Sequence, residues 1–214
     1  MREPIVAATR SGHKLREIRE IRLEVGGPEV IDLAAAGVPY EPAEETIEVF
    51  DTFAGNALAK ARHFAARAGR AALADDSGIC VDALNGAPGV RSKRFCGRAD
   101  LEGAALDRAN NDLLLERLSG TGEGGRAAHY RCVVALVTPE GEEFLFEGRC
   151  DGIILPAPRG EGGFGYDPLF RLADEDRTFA EIGPAEKNRV SHRAGALRAF
   201  TDWYTRRAGR PVIS

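Results

Sequence analysis

The stretch PIVAATRSGHKLREIREIRL, residues 4–23, decides the fold class of this 214-residue chain. Its first part, Pro4 to Ala8, is a short apolar run that is typical of a buried strand. After the turn TRSGHK, the apolar residues Leu15, Ile18 and Ile21 recur every three positions with charged residues between them. This spacing predicts an amphipathic helix. A strand, a turn and a helix in this order favour an α/β protein.

The same kinds of pattern continue along the chain, and no internal repeat or clear linker interrupts them. We therefore predict one α/β domain over residues 1–214, built in two lobes. Glycine- and proline-rich residues 156–168 form a loop too long for a simple turn. The further predicted elements are a helix at 53–68 that stops at Gly69, strands at 71–75 and 79–84, a helix capped by Asp100 that ends near Leu118, strands at 130–138, 142–150 and 153–155, and a helix capped by Ser191 that ends near Arg207.

The composition is that of a globular protein, with 43% hydrophobic residues, 29% charged residues and a net charge of -4. It is too apolar for a disordered chain, and the negative charge argues against a protein that holds long nucleic acids. No CxxC pair or zinc spacing occurs among the four cysteines and four histidines, so we expect reduced thiols. No apolar run approaches about 18 residues, so we expect neither a signal peptide nor a membrane span. This pattern favours a cytoplasmic protein.

The turn Thr9-Arg10-Ser11-Gly12-His13-Lys14 is the first candidate site. A helix N-terminus presents free N–H groups and partial positive charge, and small residues at Ser11 and Gly12 let a phosphate approach the backbone. Lys14 in the first turn is unfavourable unless an anion lies nearby. This predicts a phosphate-binding turn, and an ordinary serine-capped turn is the alternative. The GxxxxGK[ST] spacing of a Walker loop is absent.

The adjacent carboxylates of Asp75-Asp76-Ser77-Gly78 are the second candidate, directly after an apolar run. Neighbouring carboxylates repel each other unless something compensates, and a divalent cation is the usual compensation. Because side chains alternate along extended backbone, only one of the two needs to point into a site. An Asp-rich turn is the alternative. Glu44 and Glu45 offer further oxygen ligands, or else belong to a solvated acidic loop that also contains Glu41, Glu48 and Asp51.

Two later segments suit a nucleotide. Gly162–Pro168 places aromatic residues among glycines, so the backbone can come close to a flat ligand and a ring can stack on a base. A tight loop with its aromatic rings in the core is the alternative. Lys187–Arg193 combines a helix start with donors able to meet a triphosphate or a carbonyl, or is simply a charged capping region. Together with the turn and the carboxylates, these segments make up the parts of a nucleotide site.

These parts, in this order, resemble the Ham1/inosine triphosphate pyrophosphatase family from Ile5 to about Phe200. The most specific matches are ADDSGICVDALNGAPGV at 74–90, GGFGYDPLF at 162–170 and EKNRVSHRAGAL at 186–197. TFAGNALAKA at 52–61 is similar to the family's helix that carries an asparagine and a lysine. The resemblance implies an α/β fold with an elongated mixed β-sheet flanked by helices, two lobes around a nucleotide-binding cleft, and a homodimer.

The resemblance also implies Mg²⁺-dependent hydrolysis of the non-canonical purine triphosphates ITP, dITP and XTP to a monophosphate and pyrophosphate. Asp76 matches the catalytic residue, which also touches the metal, and Glu44 matches a metal ligand. We expect Lys14, Lys60 and Lys187 to neutralise phosphate charge. Phe164 should stack on the base, while Asp167, His192 and Arg193 read its edge. The full set of expected substrate-binding residues is Thr9, Arg10, Ser11, Gly12, His13, Lys14, Asn56, Lys60, Ser77, Phe164, Gly165, Tyr166, Asp167, Lys187, His192 and Arg193.

The chain departs from the family pattern at a few positions. Ser11 stands where the family usually has asparagine, Arg91 where tyrosine is common, and Gly55 where glutamate is usual. The stretch 45–52 is a few residues longer, which bears on the alignment of Glu44. Three other functions stay open: a nucleotide-binding regulatory module without turnover, a nucleic-acid-binding protein that uses the Arg-rich segments, and a pyrophosphatase for modified pyrimidines.

Overall fold

The computed structural model describes residues 3–208. Within them, six strands form one sheet in the order β2-β1-β3-β4-β5-β6, and five α-helices flank it. Strand β1 pairs in parallel with β2 and β3, whereas β5 and β6 are antiparallel, which confirms the predicted mixed sheet and α/β class. The strands are β1 (Ile5–Ala7), β2 (Val30–Ile31), β3 (Ala72–Val81), β4 (Ala127–Val137), β5 (Glu143–Ile154) and β6 (Phe170–Leu172), and the helices are α1 (Gly12–Val25), α2 (Phe53–Ala68), α3 (Gly103–Arg117), α4 (Pro184–Val190) and α5 (His192–Ala208).

The chain divides into two compact units, each assembled from separate stretches of sequence. The first unit comprises the described residues of Met1–Asp76, Cys132–Gly148 and Arg193–Ser214. The second unit comprises Ser77–Arg131 and Arg149–His192. Each unit has its own hydrophobic core.

In the first unit, the opening strand and helix form as their sequence predicts. The side chain of Ser11 accepts a hydrogen bond from the Lys14 N–H and starts α1, and Gly26 in a left-handed conformation ends it. Ile18 and Ile21 of α1 are buried in a core that also contains Leu73 of β3. Each such side chain contributes about 1.5–3 kcal/mol on burial. This core fixes the start of α1, and so the turn before it, against the sheet.

In the second unit, aromatic rings fill much of the core. Tyr130 packs edge to face on Phe170, with ring centroids 4.8 Å apart, and is stacked with Phe179 at 5.7 Å. Such ring pairs add about 0.5–1.5 kcal/mol beyond the area that they bury. The aromatic core therefore gives the second unit a rigid base on which its polar residues are mounted.

The prediction of two strands at 71–75 and 79–84 is wrong, because Ala72–Val81 is one continuous strand. The polar run Asp75–Gly78 looked like a turn, but its buried carboxylates find partners within the fold and stay in extended backbone. Asp75 and Asp76 therefore lie inside a strand rather than at its end. The segments 142–150 and 153–155 likewise form the single strand β5.

Helix α3 also begins later than predicted. Its first residue is Gly103, preceded by Glu102, and Asp100 does not cap it. The carboxylate of Asp100 instead accepts hydrogen bonds from Arg98 at 2.7 and 2.6 Å. The structure adds one helix that the sequence did not predict, α4, whose first turn contains Pro184.

The predicted helices at 53–68 and after Ser191 are confirmed. Helix α2 starts where the Thr52 side chain accepts from the Gly55 N–H, and it stops at Gly69 in a left-handed conformation. Helix α5 starts at His192, directly after Ser191. No helix within residues 3–208 is both long and apolar enough to cross a membrane.

Candidate active site

The predicted phosphate-binding turn lies at the start of α1 in the first unit. Arg10, Ser11, Gly12 and His13 are exposed, and a Cβ added to Gly12 would meet no heavy atom within 4 Å. The Ser11 N–H donates to Thr9 Oγ1 at 3.1 Å, which shapes the turn. The open helix N-terminus can therefore accept an anion close to the backbone.

Asp75 of β3 lies among cations in the first unit. Its Oδ2 accepts from Arg193 Nε and Nη2 at 3.2 and 3.0 Å and is 3.2 Å from Lys14 Nζ. Lys60 Nζ donates to the main-chain oxygen of Asp75 at 2.6 Å. Burial alone would raise the pKa of Asp75, but the charges of Lys14 and Arg193 outweigh it and hold this pKa well below the usual range. Asp75 is therefore a fixed negative charge that orders three cations.

Asp76, the next residue, has the opposite electrostatic environment. Its side chain is buried, and its Oδ2 accepts from Asn56 Nδ2 at 3.0 Å. Burial raises the pKa of Asp76, and the charges of Lys60 and Lys14 only partly oppose this effect. A carboxylate with a raised pKa is a better proton acceptor, which is the property that a general base needs.

Asn56 of α2 uses its whole amide within the first unit. Its Oδ1 accepts from the Phe50 N–H at 2.9 Å, and its Nδ2 donates to the Phe50 carbonyl at 3.1 Å as well as to Asp76. The side chain is buried, with 3% of the residue exposed. Asn56 was expected to bind substrate, but these contacts suit a residue that positions Asp76 and the segment around Phe50.

The structure places Glu44, the expected metal ligand, against two arginines. Arg10 donates to both of its carboxylate oxygens at 2.9 and 2.7 Å, and Arg67 Nη1 donates to Oε1 at 3.0 Å. The hydrogen bond from Arg10 lowers the pKa of Glu44 despite partial burial. Arg10 also donates to the carbonyls of Val38 and Pro39. Carboxylate oxygens that are already neutralised in this way are poor ligands for a further cation.

Glu48 of the same acidic segment forms an ion pair with Lys60. Burial would raise the pKa of Glu48, but Lys60 outweighs it and lowers this pKa, so the carboxylate stays charged. The charge of Glu48 in turn contributes to the raised pKa of Asp76. The first unit therefore brings Glu48, rather than Glu44, into the electrostatic field of Asp76.

The carboxylates of Asp76 and Glu48 are hard oxygen donors of the kind that a divalent cation such as Mg²⁺ binds. Within residues 3–208, no three His, Cys, Asp or Glu side chains are arranged to hold a metal on their own. Mg²⁺ commonly binds through one or two carboxylates plus substrate phosphates, so this set is complete only with a phosphorylated ligand.

The second unit holds a separate cluster of a cation, a carboxylate and aromatic rings. Lys187 Nζ donates to Asp167 Oδ2 at 2.6 Å and lies 4.4 Å from the centroid of the Phe164 ring. Asp167 Oδ2 also accepts from the Phe164 N–H at 2.9 Å. Cation, ring and carboxylate are thus fixed relative to one another, as a site for a flat polar ligand requires.

The remaining expected residues of the second unit are buried or half-buried within it. Tyr166 is buried, and its hydroxyl donates to the Ser92 carbonyl at 2.9 Å. His192 is buried and stacks on Tyr130, with ring centroids 4.6 Å apart. Ser77 is half-buried within β3.

Arg193 was expected to read a base, but its buried guanidinium bonds to Asp75 and Glu17. The role of Glu17 as a partner of Arg193 had not been predicted, although Glu17 follows Lys14 by three residues and the two therefore share one face of α1. Glu48 had not been singled out either, because no signal separated it from Glu44 in the same acidic segment.

Residues 5–203 match a family model described as the Ham1 family. The chain belongs to the Ham1 family. The match spans both clusters and confirms the resemblance that the motifs at 74–90, 162–170 and 186–197 indicated.

Named Ham1-family relatives agree with this assignment. The dITP/XTP pyrophosphatase of Desulfotalea psychrophila is 49% identical over 193 residues, which cover 90% of this chain and 81% of that protein. The dITP/XTP pyrophosphatase of Streptomyces coelicolor is 44% identical over 196 residues, 92% of this chain and 94% of that protein. The solved structure of a HAM1 protein from Coxiella burnetii matches with a TM-score of 0.81 at 36% identity, covering 96% of this chain and all of that one.

Proposed function

We propose that this Ham1-family protein hydrolyses the non-canonical purine triphosphates ITP, dITP and XTP to a nucleoside monophosphate and pyrophosphate, and so removes deaminated purines from the nucleotide pool. The observation that carries the proposal is Asp76, a buried carboxylate with a raised pKa beside the phosphate-neutralising cations Lys14 and Lys60. Relatives that carry the name dITP/XTP pyrophosphatase support the substrate class.

In the reaction, Asp76 accepts a proton from a water molecule while the water oxygen attacks the α-phosphorus. The bond from that phosphorus to the oxygen that bridges to the β-phosphate breaks, and pyrophosphate leaves. Asn56 holds the Asp76 carboxylate through Oδ2, so the base is oriented before the substrate arrives. General-base assistance of this kind is worth about 10²–10⁴ in rate.

Charge on the phosphates is met by cations that are already ordered. Lys14 and Lys60 both contact Asp75, which fixes them without neutralising Asp76. The open N-terminus of α1 adds backbone N–H groups at Ser11 and Gly12. Cations ordered in advance need no reorganisation as charge moves onto the leaving group, which lowers the barrier.

Mg²⁺ is the proposed cofactor, and Asp76 and Glu48 are the residues that would hold it. When bound, the cation supplies Lewis-acid neutralisation of the phosphate oxygens. We propose Glu48 in place of Glu44, because Arg10 and Arg67 already occupy the Glu44 carboxylate. Lys60 pairs with Oε1 of Glu48, and Glu48 is the glutamate whose charge acts on Asp76, the other proposed ligand.

The base is proposed to bind in the second unit by stacking on Phe164. Lys187 lies over one face of this ring, so a purine would stack on the opposite face. Asp167 and His192 are the proposed readers of the base edge. Arg193 is reassigned to positioning, because Asp75 and Glu17 hold its guanidinium. A site in which His192 donates to a six-carbonyl and the Asp167 carboxylate accepts from N1–H disfavours adenine, which has an amine at position six and no hydrogen on N1, by about 10²-fold or more in kcat/KM.

A homodimer and a cytoplasmic location are further parts of the proposal. The family resemblance carries the first, and the proposed role in the nucleotide pool carries the second. Light scattering coupled to size-exclusion chromatography tests the dimer, and a mass of one chain would contradict it.

The test of function is a nucleotide-panel assay with separate detection of pyrophosphate and phosphate. ITP, dITP and XTP should be cleaved with Mg²⁺ to monophosphate and pyrophosphate, at kcat/KM values at least about 100-fold above that of ATP. Equal values for ATP and ITP would contradict the substrate class. Diphosphate with free phosphate would contradict cleavage between the α and β positions. Nucleotide binding without turnover would favour a regulatory module.

A further inference from the structure

Helix α3 holds the loop that carries Phe164 by two side chains to which no role has been given so far. The Gly165 N–H donates to Asp107 Oδ2 at 2.9 Å. Asn111 Nδ2 donates to the Gly165 carbonyl oxygen at 3.1 Å. Residues four apart on a helix lie on one face, so Asp107 and Asn111 together bind both polar backbone groups of one loop residue.

Gly165 is a residue of this loop whose backbone conformation needs such support. It has φ +62, a left-handed conformation that residues with a side chain rarely adopt, and its Cβ position is open. Glycine also loses more conformational freedom on ordering than any other residue. Contacts on either side already fix Phe164 to Asp167 and Tyr166 to Ser92. The two bonds from α3 fix the peptide groups between them.

We propose that Asp107 and Asn111 are positioning residues for base recognition, which hold the Gly165 backbone so that the Phe164 ring is rigid before the nucleotide binds. The inference rests on the proposed function, in which a purine stacks on Phe164. A ring ordered in the free protein costs no ordering entropy at the moment of binding. The pair therefore acts on affinity for the base, and not on the water, Asp76 or the phosphates.

The hydrogen bonds of Asn111 separate this role from simple packing. Its Oδ1 is buried and has no hydrogen-bond partner in the described residues, so within them its amide gives the protein one hydrogen bond, the one to Gly165. The Asn111 side chain already has an unsatisfied acceptor, Oδ1, in the native protein, so its removal should cost little stability. A loss of nucleotide affinity in Asn111→Ala without a fall in melting temperature therefore indicates positioning.

The test compares Asp107→Ala, Asp107→Asn and Asn111→Ala with Asp112→Ala, an exposed acidic residue of the same helix, as the matched control. Dissociation constants are measured by calorimetry with the α,β-methylene analogue of ITP, and inhibition constants with inorganic tripolyphosphate, which has no base. Asp107→Ala and Asn111→Ala should weaken the analogue about tenfold, the effect of freeing one backbone residue. The inhibition constant of tripolyphosphate and the kcat for ITP should stay within about twofold of the wild-type values. Asp107→Asn keeps an acceptor for the Gly165 N–H and should bind like wild type, as should Asp112→Ala.

Two results would overturn the inference: unchanged analogue affinity in both alanine variants, or an equal loss of tripolyphosphate binding. If wild type fails to cleave ITP, the proposed function is refuted, but the inference about α3 can still be tested by a measurement that needs no substrate. Hydrogen exchange of the Phe164–Asp167 amides should be slow in wild type and faster in Asp107→Ala. Equal protection in the two proteins would show that α3 does not order the loop.

Discussion

Asp75 and Asp76 are neighbours on β3, yet the pKa values of their carboxyl groups shift in opposite directions. Asp75 meets Lys14 and Arg193, and its pKa falls well below the usual range despite complete burial. Asp76 meets the neutral amide of Asn56, and burial raises its pKa. Since backbone and residue type are the same, the difference comes from the partners that each face provides.

The comparison shows how one cluster can be both stable and reactive. Asp75 compensates the buried cations and so holds them in place. Lys60 and Lys14 also act on Asp76 and lower its pKa through their charge, but burial outweighs them. Asp75 and its partners thus order the cations, while burial determines the direction in which the pKa of Asp76 is shifted.

The largest expected effect is on Asp76→Asn. Loss of the base should lower kcat by about 10²–10⁴. The raised pKa means that folding disfavours the ionised form relative to the unfolded chain, so the neutral amide should leave the melting temperature unchanged or higher. Steady-state kinetics and thermal unfolding of the same preparation measure both. Retention of more than about a tenth of the activity would contradict the base role of Asp76.

Asp75→Asn should show the reverse pattern. It leaves the buried Arg193 and the half-buried Lys14 without their carboxylate, and the unpaired charge of Arg193 costs about 3–5 kcal/mol in the free energy of unfolding. The kcat of the protein that remains folded should fall less than in Asp76→Asn. Chemical denaturation measures the loss, with Glu142→Gln as the control, because the Glu142–Arg207 pair is half exposed and worth less than about 1 kcal/mol. Equal losses in the two variants would refute the special role of Asp75.

A third comparison separates the two glutamates. Glu48→Gln should raise the Mg²⁺ concentration for half-maximal activity by about tenfold, equivalent to about 1.4 kcal/mol, because it removes a charged ligand. Glu44→Gln should leave that concentration within about twofold and mainly weaken the contacts with Arg10 and Arg67. Direct Mn²⁺ binding by electron paramagnetic resonance should follow the same order. A larger effect at Glu44 would restore it as the metal ligand.

The smallest effect is on the pH dependence of stability. The pKa of Asp75 in the fold lies below the unfolded value of about 4, so its contribution is complete above about pH 5 and is lost as the pH falls. Between about pH 5 and 3, wild type should lose stability more steeply than Asp75→Asn, by at most about 1.4 kcal/mol per pH unit. Denaturation midpoints across this range measure the slopes. Parallel curves would show that Asp75 is not paired in solution.

The elements that could be predicted from the sequence are those whose signals are local. Helix α2 follows from its apolar spacing and from Gly69 as its stop, and α1 from Ser11 and the spacing of Ile18 and Ile21. The continuity of β3 could not be predicted. Asp75 is tolerated in a strand because Lys14 and Arg193 reach it from 61 and 118 residues away.

In the candidate site, too, some features could be predicted from the sequence and others could not. The motifs identified which segments carry the polar residues, because glycines, paired carboxylates and lysines can be recognised directly in the sequence. They did not indicate which of Glu44 and Glu48 remains able to bind a cation, because that depends on Arg67 of α2. Nor did they indicate that Arg193 is buried in ion pairs, because its partner Glu17 lies 176 residues away.

The ion pair between Arg193 and Asp75 has a consequence for synthesis of the chain. The first unit is drawn from three stretches of sequence, and Arg193 begins the last of them. During synthesis, Asp75 is made long before Arg193. The incomplete first unit therefore contains the Asp75 carboxylate without all of the cations that surround it in the folded protein. Contacts of such long sequence separation form late in folding. The charges around Asp75 are therefore balanced only after residue 193 has been synthesised, and a chain that ends before that residue would lack the counter-charge of Arg193.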